Sequence, residues 1–162
     1  MKKIYIALFM LLTLVFSMNV SFAAEPVGYD DLTVLGVPYN AKKVDIIDSL
    51  GTPTQEGPRK GMDISYYVAY GGVSFNLTTG NENGSIVSIV INNRDALTAR
   101  NIGVGDPASK IFNAYGTSYR INTSSNGREY RYFWGRPNTD DAHGVAFFCN
   151  NNNIVYRIVI YT

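Results

Sequence analysis

The chain has 162 residues, of which 17% are charged and 46% apolar, and its formal net charge is +1. That balance excludes the broad basic footprint of a general nucleic-acid binder. A single cysteine, Cys149, excludes an internal disulfide and a multi-cysteine metal site, so packing alone must hold the fold.

Lys2 and Lys3 precede the apolar run Ile4 to Phe16, and Ser21-Phe22-Ala23 supplies small residues where a signal peptidase reads. Residues 1–23 are therefore read as a signal peptide cleaved near Ala23. The run is too short for a permanent membrane span, and no cysteine follows it to accept a lipid. The 139 residues that follow are expected to be secreted or periplasmic, in the envelope of a bacterium, with no membrane span. The 14 basic residues fall to 12 when Lys2 and Lys3 leave, against 13 acidic ones, which gives a net charge of −1.

The remainder reads twice. Asn40 is expected to cap a helix from about Ala41 to Leu50, with Val44, Ile47 and Leu50 on one face and Gly51 as terminator. Three alternating segments follow. Tyr66, Val68 and Tyr70 lead through Gly71-Gly72 to Val73, Phe75 and Leu77, and then past Gly80–Gly84 to Val87, Ile89 and Ile91.

The later stretch has the same pattern. Asp106 is expected as cap and Pro107 as first helical residue, with Ile111, Phe112 and Tyr115 apolar and Gly116 closing. Tyr130, Tyr132 and Trp134, then Val145, Phe147 and Cys149, then Tyr156, Ile158 and Ile160 make the matching segments. Leu50-Gly51-Thr52-Pro53 thus answers Tyr115-Gly116-Thr117-Ser118. The expected class is α+β with two tandem repeats, residues 24–94 and 95–162, each a short helix packed on a three- to four-stranded antiparallel sheet. Leu32 to Leu35 or Leu97 to Asn101 is expected to supply the extra strand, with room for the sheets to join.

From about Leu32 to Thr162, this order of helix, Gly-Thr-Pro53 or Gly-Thr-Ser118, and three strands resembles the exported tandem repeats of the β-lactamase-inhibitor-protein type. These are related in fold to small outer-membrane-assembly lipoproteins. The resemblance implies protein–protein binding without catalysis, and it transfers no individual contact residue.

Candidate sites follow from which side chains face away from the expected core. Phe133, Phe148, Val155, Val159 and Tyr161 share that side with Arg131 and Arg157, and aromatic rings with arginines are what protein interfaces favour. The alternative is cover by the segment Pro26 to Tyr39, by the other repeat or by a second molecule. The hairpin loop Arg136 to His143 adds Arg136, Asp140, Asp141 and His143 as polar contacts. One imidazole and two carboxylates are too few donors for a structural zinc site, so no metal is expected.

Gly103-Val104-Gly105-Asp106-Pro107-Ala108 imitates a dinucleotide fingerprint but lacks the preceding strand, and no cofactor is expected. Cys149 takes the place of Leu77 and reads as core filler rather than nucleophile. The glycosylation-like Asn76, Asn83 and Asn122 read as accidents of an Asn-rich chain. The expected function is non-catalytic binding of an unidentified protein through the outer sheet face and this loop. The alternative is a cell-wall glycan stacked on Tyr67, Phe133 and Tyr161.

Overall fold

Alternating apolar residues build the middle of the sheet, and two polar segments that carry no such alternation extend it at either side. The computed structural model describes residues 24–60, 64–134 and 143–162. In chain order it has a 3-10 turn (Tyr29–Leu32), α1 (Lys43–Leu50), β1 (Gln55–Pro58), β2 (Tyr66–Tyr70), β3 (Val73–Leu77) and β4 (Ile86–Ile91). Then come α2 (Ala108–Tyr115), β5 (Arg120–Ser124), β6 (Gly127–Phe133), β7 (Gly144–Cys149) and β8 (Val155–Tyr161). All eight strands form one antiparallel sheet in the order β1-β2-β3-β4-β8-β7-β6-β5.

This corrects the expected class. The molecule is mostly β, a single eight-stranded antiparallel sheet with two short helices, and not two helix-on-sheet repeats. The reason is the pairing of β4 with β8, which sets Ile89 against Ile160 and Ile91 against Ile158. All four are fully buried, in one core cluster with Phe75, Phe147, Leu77 and Cys149. Helices of eight residues do not stand alone, so Ile46 of α1 and Ile111 and Tyr115 of α2 gain their stability from that shared core.

The extra strands also differ from expectation. Leu32 ends the 3-10 turn, and residues 97–101 form a turn; β1 and β5 extend the sheet instead. Leu32, Val34 and Val37 enter the core cluster, so the N-terminal segment packs with the helices rather than over the opposite face.

Two register shifts, between Asn76 and Leu77 and between Phe148 and Cys149, change which residues turn inward. The bulges pair Leu77 with Ile86 and Cys149 with Val155. Ile86 and Val155 therefore take the core positions expected for Val87 and Tyr156, and Tyr156 is left 46% exposed. Gly127 closes the β5–β6 turn at φ +139°, where a Cβ would meet the Cys149 carbonyl oxygen. Only glycine serves there.

The helix starts lie later than expected. Lys42 and Pro107 are the N-caps, neither with a side-chain cap bond, while Gly51 and Gly116 close the helices as anticipated. Asp106 instead fastens the loop before α2: its carboxylate accepts from the Gly103 amide (2.9 Å), Lys110 Nζ (2.8 Å) and Arg94 Nη1 (2.9 Å). Desolvation raises its pKa, but the hydrogen bonds from Lys110, Gly103 and Arg94 outweigh this and bring it to about 2.

A folded pKa below the unfolded value near 3.8 means this stabilisation is complete above that value and disappears as pH falls toward 2. Asp106→Asn should cost about 2 kcal/mol at pH 7 and flatten the loss of thermal stability between pH 4 and pH 2, read by calorimetry across that range. In urea titrations, Ile160→Ala should lose about 2–5 kcal/mol, whereas Ile121→Ala at the exposed β5 edge should stay within about 0.5 kcal/mol.

Candidate functional site

Strand alternation and register decide which side chains share the sheet face that the helices leave uncovered. Phe133, Gly144, Tyr161, Ser88, Asn76 and Tyr67 align in one row across six strands. Arg131, Ala146, Val159, Val90, Ser74 and Ala69 form the next, and Glu129, Phe148 and Arg157 begin a third.

The middle row has a floor of small residues. Ala146, Val159, Val90 and Ala69 are at most 6% exposed, yet none belongs to the core cluster. Longer side chains pair with one another on the same face. Arg131 lies 4.9 Å from the Tyr161 ring centre, Arg157 5.5 Å from Phe148, Arg120 4.9 Å from Phe133 and Arg59 5.6 Å from Tyr67. Each pair shields apolar surface with an arginine stem and a ring while keeping the guanidinium at the water boundary.

Polar bonds hold this layer in place. Glu129 Oε1 accepts from Arg131 Nη2 at 2.6 Å and Nε at 3.0 Å, and its other oxygen accepts from Asn122 at 2.9 Å. Arg59 donates to Asn76 Oδ1 at 2.5 Å, and Asn76 Nδ2 donates to Ser88 at 2.9 Å. Asn76 is thereby buried and engaged. Burial raises the Tyr161 hydroxyl pKa, and the Arg131 charge opposes that shift. Arg120 pairs across from Arg131, and Arg157 lies beyond Phe148 in the row that begins with Glu129.

Arg131, Phe133, Phe148, Arg157 and Tyr161, expected to share a face, do so; Phe133, Phe148 and Tyr161 are partly exposed and Arg157 is exposed. Val155, expected beside them, turns into the core because Tyr156 bulges out of β8. His143 lies apart. Its ring packs 5.7 Å from Trp134 and 6.1 Å from Tyr39, beside the stacked pair Tyr29 and Tyr39. Its Nδ1 is buried with no hydrogen-bond partner among the described residues. Arg136, Asp140 and Asp141 lie outside the described residues.

Sequence reading missed Arg120, Arg59, Glu129 and Tyr156. Arg120 and Arg59 belong to or follow polar edge strands, and the bulge carries Tyr156 out to 6.3 Å from the Phe148 ring. Only the register reveals these neighbours.

A second concavity, a cleft of about 690 Å³, is lined by Glu25, Tyr29, Asp30, Asp31, Arg100 and Ala114 among others. Arg100 makes a fork to both Asp31 oxygens at 2.6 and 2.7 Å and donates to the carbonyls of Glu25, Pro26 and Ala114. Its guanidinium also stacks 4.6 Å from the Tyr115 ring centre. All its donors are in use. It clasps the N-terminal segment to the end of α2, which makes this cleft structural.

Burial raises the Cys149 thiol pKa to about 11, so it is protonated and weakly nucleophilic at neutral pH. No group of three or more His, Cys, Asp or Glu residues is placed to hold a metal among the described residues, and none of their helices is long and apolar enough to cross a membrane. What the open face offers chemically is area for stacking and guanidinium edges for carboxylates or other oxyanions.

No protein-family model and no curated protein matches the chain. Among solved structures, an extracellular protein containing an SCP domain from Bacillus anthracis is similar, with a TM-score of 0.53 at 6% identity over 88% of this chain and 50% of that one. A DUF4309-family protein, YjgB, from Bacillus subtilis matches with a TM-score of 0.42 at 14% identity, over 75% of this chain and 78% of that one. The chain thus spans about half the length of the first, and that likeness concerns the fold alone. The resemblance to β-lactamase-inhibitor-type repeats gains no support from a family match.

Proposed function

We propose that the chain is an exported, non-catalytic binding protein that recognises another protein through the uncovered sheet face around Arg131, Phe133, Phe148, Arg157 and Tyr161. One observation carries this reading: rings and arginines stack in pairs over a floor of small buried residues on the face opposite the helices. Such a layer is already ordered. A partner loses little side-chain freedom in docking on it, and rigid aromatic and arginine anchors are the groups that dominate binding energy.

Export is supported by the Lys2-Lys3 start, the apolar run after it and the small residues before Ala24. The B. anthracis protein of similar fold is itself described as extracellular. The non-catalytic part is supported by three of the groups with displaced pKa values: Asp106 and Arg100 are engaged in loop and segment anchoring, and Cys149 is sealed in the core.

The glycan reading has one favouring observation, that Tyr67 and Tyr161 lie in one row of this face. The two separate experimentally. A partner is first captured from envelope extract and identified, and its affinity is then measured with purified components. Phe133→Ala/Phe148→Ala should weaken it about 30-fold or more while leaving the melting temperature nearly unchanged, since these rings lie outside the core cluster. Unaltered affinity removes the face from the proposal. Sedimentation with peptidoglycan that is lost in Tyr67→Ala/Tyr161→Ala would favour the glycan instead.

A further inference from the structure

Arginines in this chain mostly serve an oxygen of the chain itself. Arg59 donates to Asn76, Arg94 to Asp106, Arg100 to Asp31, Arg128 to Asn153 and Arg131 to Glu129. Arg157 differs: among the described residues its guanidinium makes no hydrogen bond or ion pair, and it lies over the Phe148 ring, 5.5 Å from the ring centre. The residue is exposed. Stacking on a ring uses the flat face of a guanidinium and leaves its N–H edge for hydrogen bonds, so the ring orders the side chain without consuming its donors.

A bulge completes the surroundings of this arginine. Phe148 stands opposite Arg157 and Cys149 opposite Val155, so Tyr156 is the extra residue of β8; it is 46% exposed, with its ring 6.3 Å from that of Phe148. Tyr156 and Arg157 are thus consecutive, both exposed and both beside Phe148. On the far side of Phe148 in the same row is Glu129, whose carboxylate is engaged by Arg131 and Asn122. This charge pattern selects the ligand. One open guanidinium matches one carboxylate through a fork of two N–H···O bonds. A phosphate would bring a second negative charge toward Glu129 with no further open cation in the row.

On the reading of this face as a protein-recognition surface, we infer that Arg157 is its specificity-determining residue. Its guanidinium fork takes one Asp or Glu carboxylate of the partner protein, and the apolar residue beside that carboxylate seats against Phe148 and Tyr156. The partner therefore presents an acidic residue next to an apolar one. Arginine and aromatic side chains held together in this way are the groups that dominate binding energy at protein interfaces, and the carboxylate adds directional selection to the stacking area of the rings.

The test uses the full exported chain and small probes of defined charge, read by NMR at the Arg157 Nε–H and at the Phe148 and Tyr156 rings. Acetyl-Glu-Leu-amide should give saturable shifts at all three in the range of about 1–20 mM, as fits one ion pair with one apolar contact. Acetyl-Gln-Leu-amide should bind about tenfold or more weakly. Arg157→Gln should remove the shifts at both rings, and Arg157→Lys, which keeps the charge but not the fork, should weaken binding about fivefold or more. Melting curves verify that each variant folds. Absence of shifts would overturn the inference, as would equal shifts from the glutamine probe, equal shifts from inorganic phosphate, or undiminished binding by Arg157→Gln. The purified partner separates this inference from the face it rests on. If Phe133→Ala/Phe148→Ala weakens the partner while Arg157→Gln leaves its affinity unchanged, the face stands and the carboxylate assignment falls; if the double ring variant leaves affinity unchanged, the face itself falls.

Discussion

The pairing of β4 with β8 is the constraint on which the rest of the structure depends. It closes what would otherwise be two exposed strand edges rich in isoleucine, and it lets residues from both halves of the chain bury one another. Ile89, Ile91, Ile158 and Ile160 are fully buried at this seam. Without it, each run of four strands would carry an eight-residue helix and half a core, too little apolar burial to offset the entropy of ordering the chain. The N-terminal segment then adds Leu32, Val34 and Val37 to the same side, held there by the Arg100 fork to Asp31.

Once the helices and that segment are committed to one face, the other must solve its own solvation. Among the described residues, it carries small buried residues and arginine–ring pairs. Long side chains such as arginine can shield apolar neighbours with their stems, and here Arg131 lies over Tyr161 and Arg157 over Phe148. This arrangement leaves rings and charges at the surface. It therefore links the packing of the sheet to recognition, because the same side chains serve both.

The sheet edges express a different compromise. Proline and an ion pair guard β1, whereas β5 carries neither proline nor lysine. A strand that is exposed along its whole length contributes little to the core, so its composition is free to answer other demands.

Much of the middle of the fold was legible in the sequence. Two-residue alternation around Gly71-Gly72 gave Val73, Phe75 and Leu77 as core, and the same period placed Val145, Phe147 and Cys149 beside them. It also put Arg131, Phe133, Phe148, Arg157 and Tyr161 on one side, since alternation alone fixes the side within a strand. Gly51 and Gly116 marked the helix ends because a terminating residue at positive φ favours glycine.

Tertiary structure decided the rest. β1 and β5 were invisible to hydrophobic periodicity because edge strands wet on both faces have no reason to alternate. The two bulges exchanged Val87 for Ile86 and Tyr156 for Val155, since a bulge depends on the partner strand as much as on its own residues. The union of two expected sheets into one followed from long-range pairing of β4 and β8, which no local pattern encodes. Asp106 shows the same principle at one residue: its position suggested a helix cap, but Arg94 and Lys110 drew its carboxylate into a loop anchor. Away from the two bulges, the sequence by itself determined on which side of each central strand the residues lie; only the folded chain determined which strands meet, because partners far apart in sequence set that choice through contacts that exist only once both are in place.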